Sequence, residues 1–160
     1  MTPTFSQLLR SPVLFLAFGF GSGLAKKAPG TFGTVAAIPL WWGMQFLSPA
    51  MYLAVVAVAS VFGCYLCGAA SKKLGVHDHG GIVWDEFVGY WITMFLAPAG
   101  WLWALYGFVL FRIFDIAKPQ PIGWADRRVH GGLGIMLDDI LAGIYAALVL
   151  QGTALALSMF

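Results

Sequence analysis

Charge is scarce in this chain. Only 10% of its 160 residues are Asp, Glu, Lys or Arg, while 60% are hydrophobic. Soluble domains carry about 25% charged residues. A water-soluble fold of this length has no interior large enough for so much apolar surface, and a bilayer removes the need for one. The length allows one domain, so residues 1–160 are read as a single unit. Long basic stretches are absent and the net charge is only +2, which excludes the electrostatic footprint of a nucleic-acid binder. Cysteine is also rare. Cys64 and Cys67 lie inside an apolar run with no His or acidic neighbour, so they read as small packing residues and not as a zinc, redox or disulfide framework. Acidic residues are missing before Asp78 and after Asp139.

What is present is a series of apolar runs. Arg10 followed by Pro12–Phe20 mimics a signal peptide, but the run is short and glycine-broken and Lys26-Lys27 follow, so it is expected to be retained. No lipidation signal is visible. Val13–Leu24 is too short to span and reads as an interfacial or re-entrant segment. Phe32–Leu47, Ala50–Ala70, Ile82–Ala97, Trp101–Ile116 and Asp139–Phe160 read as spans. The expected fold is all-α: a polytopic membrane helical bundle of about five hydrophobic helices plus that short N-terminal segment. Ser48-Pro49 and Pro98-Ala99-Gly100 read as tight uncharged turns, with Trp41, Trp42, Trp101 and Trp103 near span ends as interfacial belts require. The polar connections Ala25–Thr31, Ser71–Gly81 and Lys118–Asp138 carry Lys26-Lys27, Lys72-Lys73, Lys118 and Arg127-Arg128. The positive-inside rule puts all three in the cytoplasm and the turns and C-terminus outside.

The carboxylates then gather on the cytoplasmic side, at or just inside helix ends. A carboxylate within the apolar region costs about 2.5–3.5 kcal/mol on insertion scales, so five of them ask for a purpose. Asp85-Glu86 sit near a helix start, with Gly89 one turn beyond; Asp138-Asp139 open the last helix, and Asp139 with Gly143 repeats that spacing. The bland alternative for both pairs is helix capping, with Asp138 as N-cap. Arg112, Asp115 and Lys118 recur every three residues along one helix face, which Pro119 terminates. The bland alternative there is an interfacial Arg112–Asp115 ion pair. Taken together, Asp85, Glu86, Asp115, Asp138 and Asp139 are candidate ligands for a divalent cation that would relieve their mutual repulsion. An oxygen-only donor set suits Mg²⁺, which keeps waters for a phosphate-bearing substrate. No thiolate or multi-His set competes for zinc.

Gly19–Thr34 is glycine-rich, and Lys26, Lys27, Thr31 and Thr34 are candidates to cradle a phosphate, with Arg112 and Lys118 as further cations for its charge. It is neither a dinucleotide fingerprint nor a Walker loop. His77-Asp78-His79 is open to proton transfer or metal binding, although adjacent loop histidines are more often solvated. Neither cysteine has an arginine six positions on, and no Asp-x-Asp-x-Thr nucleophile loop or Lys/Arg–His vanadium-type triad occurs. Phosphoryl chemistry here would therefore use metal and carboxylates. An acidic-site membrane cation transporter remains the alternative, against which stands the apolar middle of each span. A structural membrane subunit is a third.

The stretches Lys27–Thr34 (KAPGTFGT), Ile82–Gly89 (IVWDEFVG), Phe111–Pro121 (FRIFDIAKPQP) and Asp138–Gly143 (DDILAG) resemble, in order and across most of the chain, the phosphatidylglycerophosphatase A family. The approach Asp78–Gly81 (DHGG) is similar too. The resemblance implies a Mg²⁺-dependent lipid phosphatase of the bacterial inner membrane, converting phosphatidylglycerophosphate to phosphatidylglycerol and phosphate at the cytoplasmic face. Its substrate would be a phospholipid in the membrane; no nucleic acid and no obligate protein partner is evident. Glu86, Asp115 and Asp139 are the catalytic candidates, with the choice between ligand and base open among them, and with water or a carboxylate open as nucleophile.

Overall fold

A computed structural model describes residues 2–77 and 79–159. It is all-helical, with no strand among these residues. The α-helices are α1 (Phe5–Leu9), α2 (Pro12–Ala17), α3 (Pro29–Met44), α4 (Pro49–Leu74), α5 (Trp84–Thr93), α6 (Trp101–Ala117), α7 (Ile122–Arg128) and α8 (Gly131–Ser158); Gly19–Leu24 form tighter 3-10 turns. The boundaries follow from local chemistry. Pro29 and Pro49 occupy first-turn positions whose N–H would be unpaired anyway. The Ser48 hydroxyl accepts the Met51 N–H at 3.3 Å. Gly75, at φ +67°, closes α4.

The ten-residue α5 is the keystone, packed against α3, α4, α6 and α8. Phe87, Val88 and Tyr90 are fully buried, and the polar atoms around α5 bond to backbone carbonyls. The Trp84 Nε1–H donates to Ala59 (3.1 Å), the Tyr90 hydroxyl to Ala104 (3.0 Å), the Trp91 Nε1–H to Ala37 (3.2 Å) and the Tyr52 hydroxyl to Trp91 (2.6 Å). These contacts also set direction. The starts of α3, α5 and α8 and the ends of α4 and α6 share one end of the bundle, and the two uncharged turns lie at the other.

The outside is apolar. Val61 on α4 is 75% exposed, and Val58, Leu105, Ile116, Leu148 and Leu155 are similarly bare. Both α4 and α8 are long and apolar enough to cross a membrane, and only 28% of the most apolar window of α4 is buried within the protein. That is unlike the core helix of a soluble domain.

Three expectations change. The span expected over Ile82–Ala97 is the short α5, about 15 Å long, half the hydrocarbon thickness of about 30 Å; its apolar residues are buried against other helices. α3 and α6 have 16 and 17 residues, at the short edge of the roughly 17–25 that cross a bilayer; among the described residues α4 and α8 are the helices long and apolar enough to span outright. The last helix begins at Gly131 and not at Asp139, and the connection before it contains α7. The segment Val13–Leu24 is a folded cap. The Val83 N–H donates to the Ala17 carbonyl at 2.8 Å, the Lys73 ammonium reaches Ser11 at 2.9 Å, and Phe18 is fully buried.

Candidate active site

α5 and α8 approach at two glycines. A Cβ added at Gly89 would lie 2.9 Å from the Asp139 carbonyl, and one at Gly143 would lie 2.5 Å from the Gly89 carbonyl. Backbones this close admit no side chain. The Thr93 hydroxyl spans the junction, donating to Gly89 (2.9 Å) and lying 3.4 Å from the Gly143 carbonyl. One turn before each glycine stands an acid. The repeated acid–glycine spacing is therefore a docking device that brings Asp85 and Asp139 to the same level. Ligand oxygens of Asp85, Glu86 and Asp139 lie within 4.8 Å of one another.

α6 closes the group from the side. The Arg112 guanidinium bonds the Asp115 carboxylate and lies 3.8 Å from Glu86 Oε1. Asp115 in turn is near enough to Asp139 for the two carboxylates to repel each other. Arg112 is 15% exposed, so the group has a mouth. Its fourth wall is α3, where a Cβ at Gly30 would collide with Glu86 Oε1 and lie 3.1 Å from the guanidinium. Glu86 Oε2, Asp139 Oδ2 and Arg112 Nε are buried without a hydrogen-bond partner among the described residues. Oxygen-only donors with unpartnered buried atoms fit a hard cation such as Mg²⁺. Cys67, buried behind them, touches the Met136 sulfur at 4.0 Å instead.

Other candidates are placed differently. Asp138 was expected beside Asp139 as a ligand and Lys118 as a phosphate cation, but they pair with each other at 2.6 Å, and Lys118 also holds Asp126 at 2.5 Å. Successive residues on a helix point about 100° apart, so Asp138 faces α7 while Asp139 faces α5. Burial works against the Lys118 ammonium, yet the two carboxylates outweigh it and raise its pKa. Thr34 is fully buried with its hydroxyl donated to the Gly30 carbonyl at 2.9 Å, so it is withdrawn from any ligand. Lys26 and Lys27 are exposed just before α3, and Thr31 is half-buried in its first turn. Capping does not explain Asp138 and Asp139, which lie about two turns into α8; Asp85 and Glu86 stand in the first turn of α5, where the helix dipole favours them, although the N-cap residue there is Val83.

The histidines organise loops. His77 Nε2 accepts the Gly131 N–H at 2.9 Å, and His79 Nδ1 accepts the Gly81 N–H at 3.0 Å. Asp78 between them lies outside the described residues. Sequence reasoning missed Gly30, whose bare Cα makes room for Glu86; its place in the Lys27–Thr34 motif was the available signal.

Fold and site together define a helical, membrane-associated protein with an acidic centre and a guanidinium at one end of its bundle. The family model for phosphatidylglycerophosphatase A matches residues 15–154. The chain belongs to that family and is a phosphatase. It is 54% identical over 140 residues to phosphatidylglycerophosphatase A of Escherichia coli K12, covering 87% of this chain and 81% of that one. With the Haemophilus influenzae Rd protein of the same name it shares 48% over 145 residues, 88% of each chain. A Bacteroides thetaiotaomicron protein provisionally named phosphatidylinositol-3-phosphatase is 38% identical over 143 residues, 84% of this chain and 88% of its own. No solved structure matches. Nothing among these relatives supports the cation-transporter alternative.

Proposed function

We propose that the chain is a multi-pass inner-membrane enzyme that hydrolyses phosphatidylglycerophosphate to phosphatidylglycerol and phosphate, with its acidic centre at the cytoplasmic interface. The observation that carries this is the convergence of Asp85, Glu86 and Asp139 within 4.8 Å, at the end of the bundle where the basic loops gather, in a chain related to enzymes named for that substrate.

Asp85, Glu86 and Asp139 would hold Mg²⁺. When bound, the ion supplies Lewis-acid stabilisation of phosphate charge and activation of the attacking group. The chain's own residues do the rest. Arg112 stands at the mouth with Nε unpartnered among the described residues and donates to a phosphate oxygen. Asp115, outside the three-residue group but beside Asp139 and Arg112, is assigned as the base that takes the proton of the attacking water. The water oxygen bonds to phosphorus as the P–O bond to the glycerol breaks, the leaving alkoxide takes a proton from solvent water, and Asp115 returns its proton to solvent. Acyl chains remain in the lipid beside the bare faces of α4 and α8.

The test is phosphate release by the purified full chain from phosphatidylglycerophosphate in mixed micelles. Release should require Mg²⁺, stop with chelator and return on re-addition. Turnover undiminished by chelator would remove the metal from the scheme; no release with Mg²⁺ present would remove the substrate.

A further inference from the structure

Besides the acidic centre, the same end of the bundle carries a cavity of about 570 Å³ with mixed polar and apolar walls. Its walls are the N-terminal residues Thr2–Phe5, the loop Gly23–Lys26 with Pro29, and the loop His79–Gly81. The loops are held together by a glycine contact: a Cβ at Gly81 would lie 2.8 Å from the Gly23 carbonyl. The first turn of α3 links the cavity to the acidic centre. Pro29 is in its wall, and the next residue, Gly30, lies against Glu86 and Arg112.

Its chemistry is opposite to that of the centre. Lys26 and His79 line it, and no carboxylate among the described residues does. Lys26 makes no ion pair among the described residues. His79 Nδ1 accepts the Gly81 N–H at 3.0 Å, which leaves Nε2 as the ring nitrogen that can donate. The surroundings suit an anion that is not coordinated by metal.

The substrates for which the relatives are named share such an anion. Phosphatidylglycerophosphate and phosphatidylinositol 3-phosphate both join diacylglycerol through a phosphodiester to a polyol bearing a separate phosphomonoester. Resting on the proposed function above, we propose that the Lys26–His79 cavity binds the non-reacting phosphodiester while the monoester meets the acidic centre. The cavity then selects lipids with both groups over a lipid monophosphate lacking the diester.

The product isolates the two halves: phosphatidylglycerol carries only the diester, inorganic phosphate only the group released. In mixed micelles at fixed surface fraction, phosphatidylglycerol should inhibit competitively. Lys26→Ala should raise its Ki about tenfold, the scale of one charge-assisted hydrogen bond, and shift the Ki of inorganic phosphate less. Lys26→Arg should restore most of the phosphatidylglycerol affinity. Absence of inhibition by phosphatidylglycerol, or equal shifts for both inhibitors, overturns the subsite while leaving the hydrolase reading intact. A wild-type chain inert toward phosphatidylglycerophosphate overturns that reading instead.

Discussion

Two adjacent aspartates on α8 have parted company. Asp139 joins Asp85 and Glu86, and Asp138 is held by Lys118. Replacing Lys118 by Met leaves Asp138 facing α7 without its cation. We expect a loss of about 1–2 kcal/mol in unfolding free energy, since half-buried pairs fall between exposed and buried ones. Asp126→Asn at the more exposed end should cost under about 1 kcal/mol. Chemical denaturation in detergent would rank the two, and a Lys118→Met/Asp138→Asn pair should recover part of the loss. The raised pKa of Lys118 places this stabilisation below the ordinary lysine pKa of about 10.4, so it is fully present at neutral pH and fades only in strong alkali. Asp115→Asn tests the base assigned in the proposed function. It removes one partner of the Arg112 pair but also the repulsion between Asp115 and Asp139, so the chain should stay folded, and it should lower kcat by about 10²–10⁴, the contribution of a positioned base. Wild-type turnover would remove Asp115 from the reaction.

Among the helices, glycine decides contact. Gly132 lies so close to α4 that an added Cβ would clash with the Cys64 carbonyl and sit 2.7 Å from the Gly68 nitrogen. Gly152, on the same helix, has nothing within 4 Å. Gly132→Ala should cost about 1–3 kcal/mol through overpacking, whereas Gly152→Ala should gain up to about 1 kcal/mol from backbone propensity. Equal effects on thermal unfolding would contradict this packing. The same glycines explain what could be read in advance. The acid–glycine spacing at Asp85/Gly89 and Asp139/Gly143 was visible, as were the apolar runs and the turns at Ser48 and Pro98. The start of α8 was not, because Gly131, Gly132 and Gly134 look like helix breakers, whereas Gly132 is the close approach to α4 and Gly134 the close approach to the preceding Val129. The brevity of α5 was equally hidden, since a run buried by protein and a run buried by lipid have the same composition. The Lys118 bridge depended on α7, which nothing in the apolar pattern announced.

At the scale of the whole molecule, the proposed orientation makes a mapping prediction. In a variant lacking Cys64 and Cys67, single cysteines at Lys27, Lys72 and Arg128 should all be labelled from the cytoplasmic side by an impermeant thiol reagent. Cysteines at Ser48 and Ala99 should be labelled only from the other. Mixed labelling among the first three would refute the common face. The length of α8 adds a consequence. From Asp139 to Ser158 the helix rises about 29 Å, nearly one hydrocarbon thickness of about 30 Å. In the proposed orientation the far end of α8 would act as a ruler, fixing how deep the reacting centre rides beneath the phosphate plane of its host. In host lipids of graded chain length turnover should pass through an optimum, falling off where hydrophobic mismatch lifts the centre away from the esters it cleaves or sinks it below them.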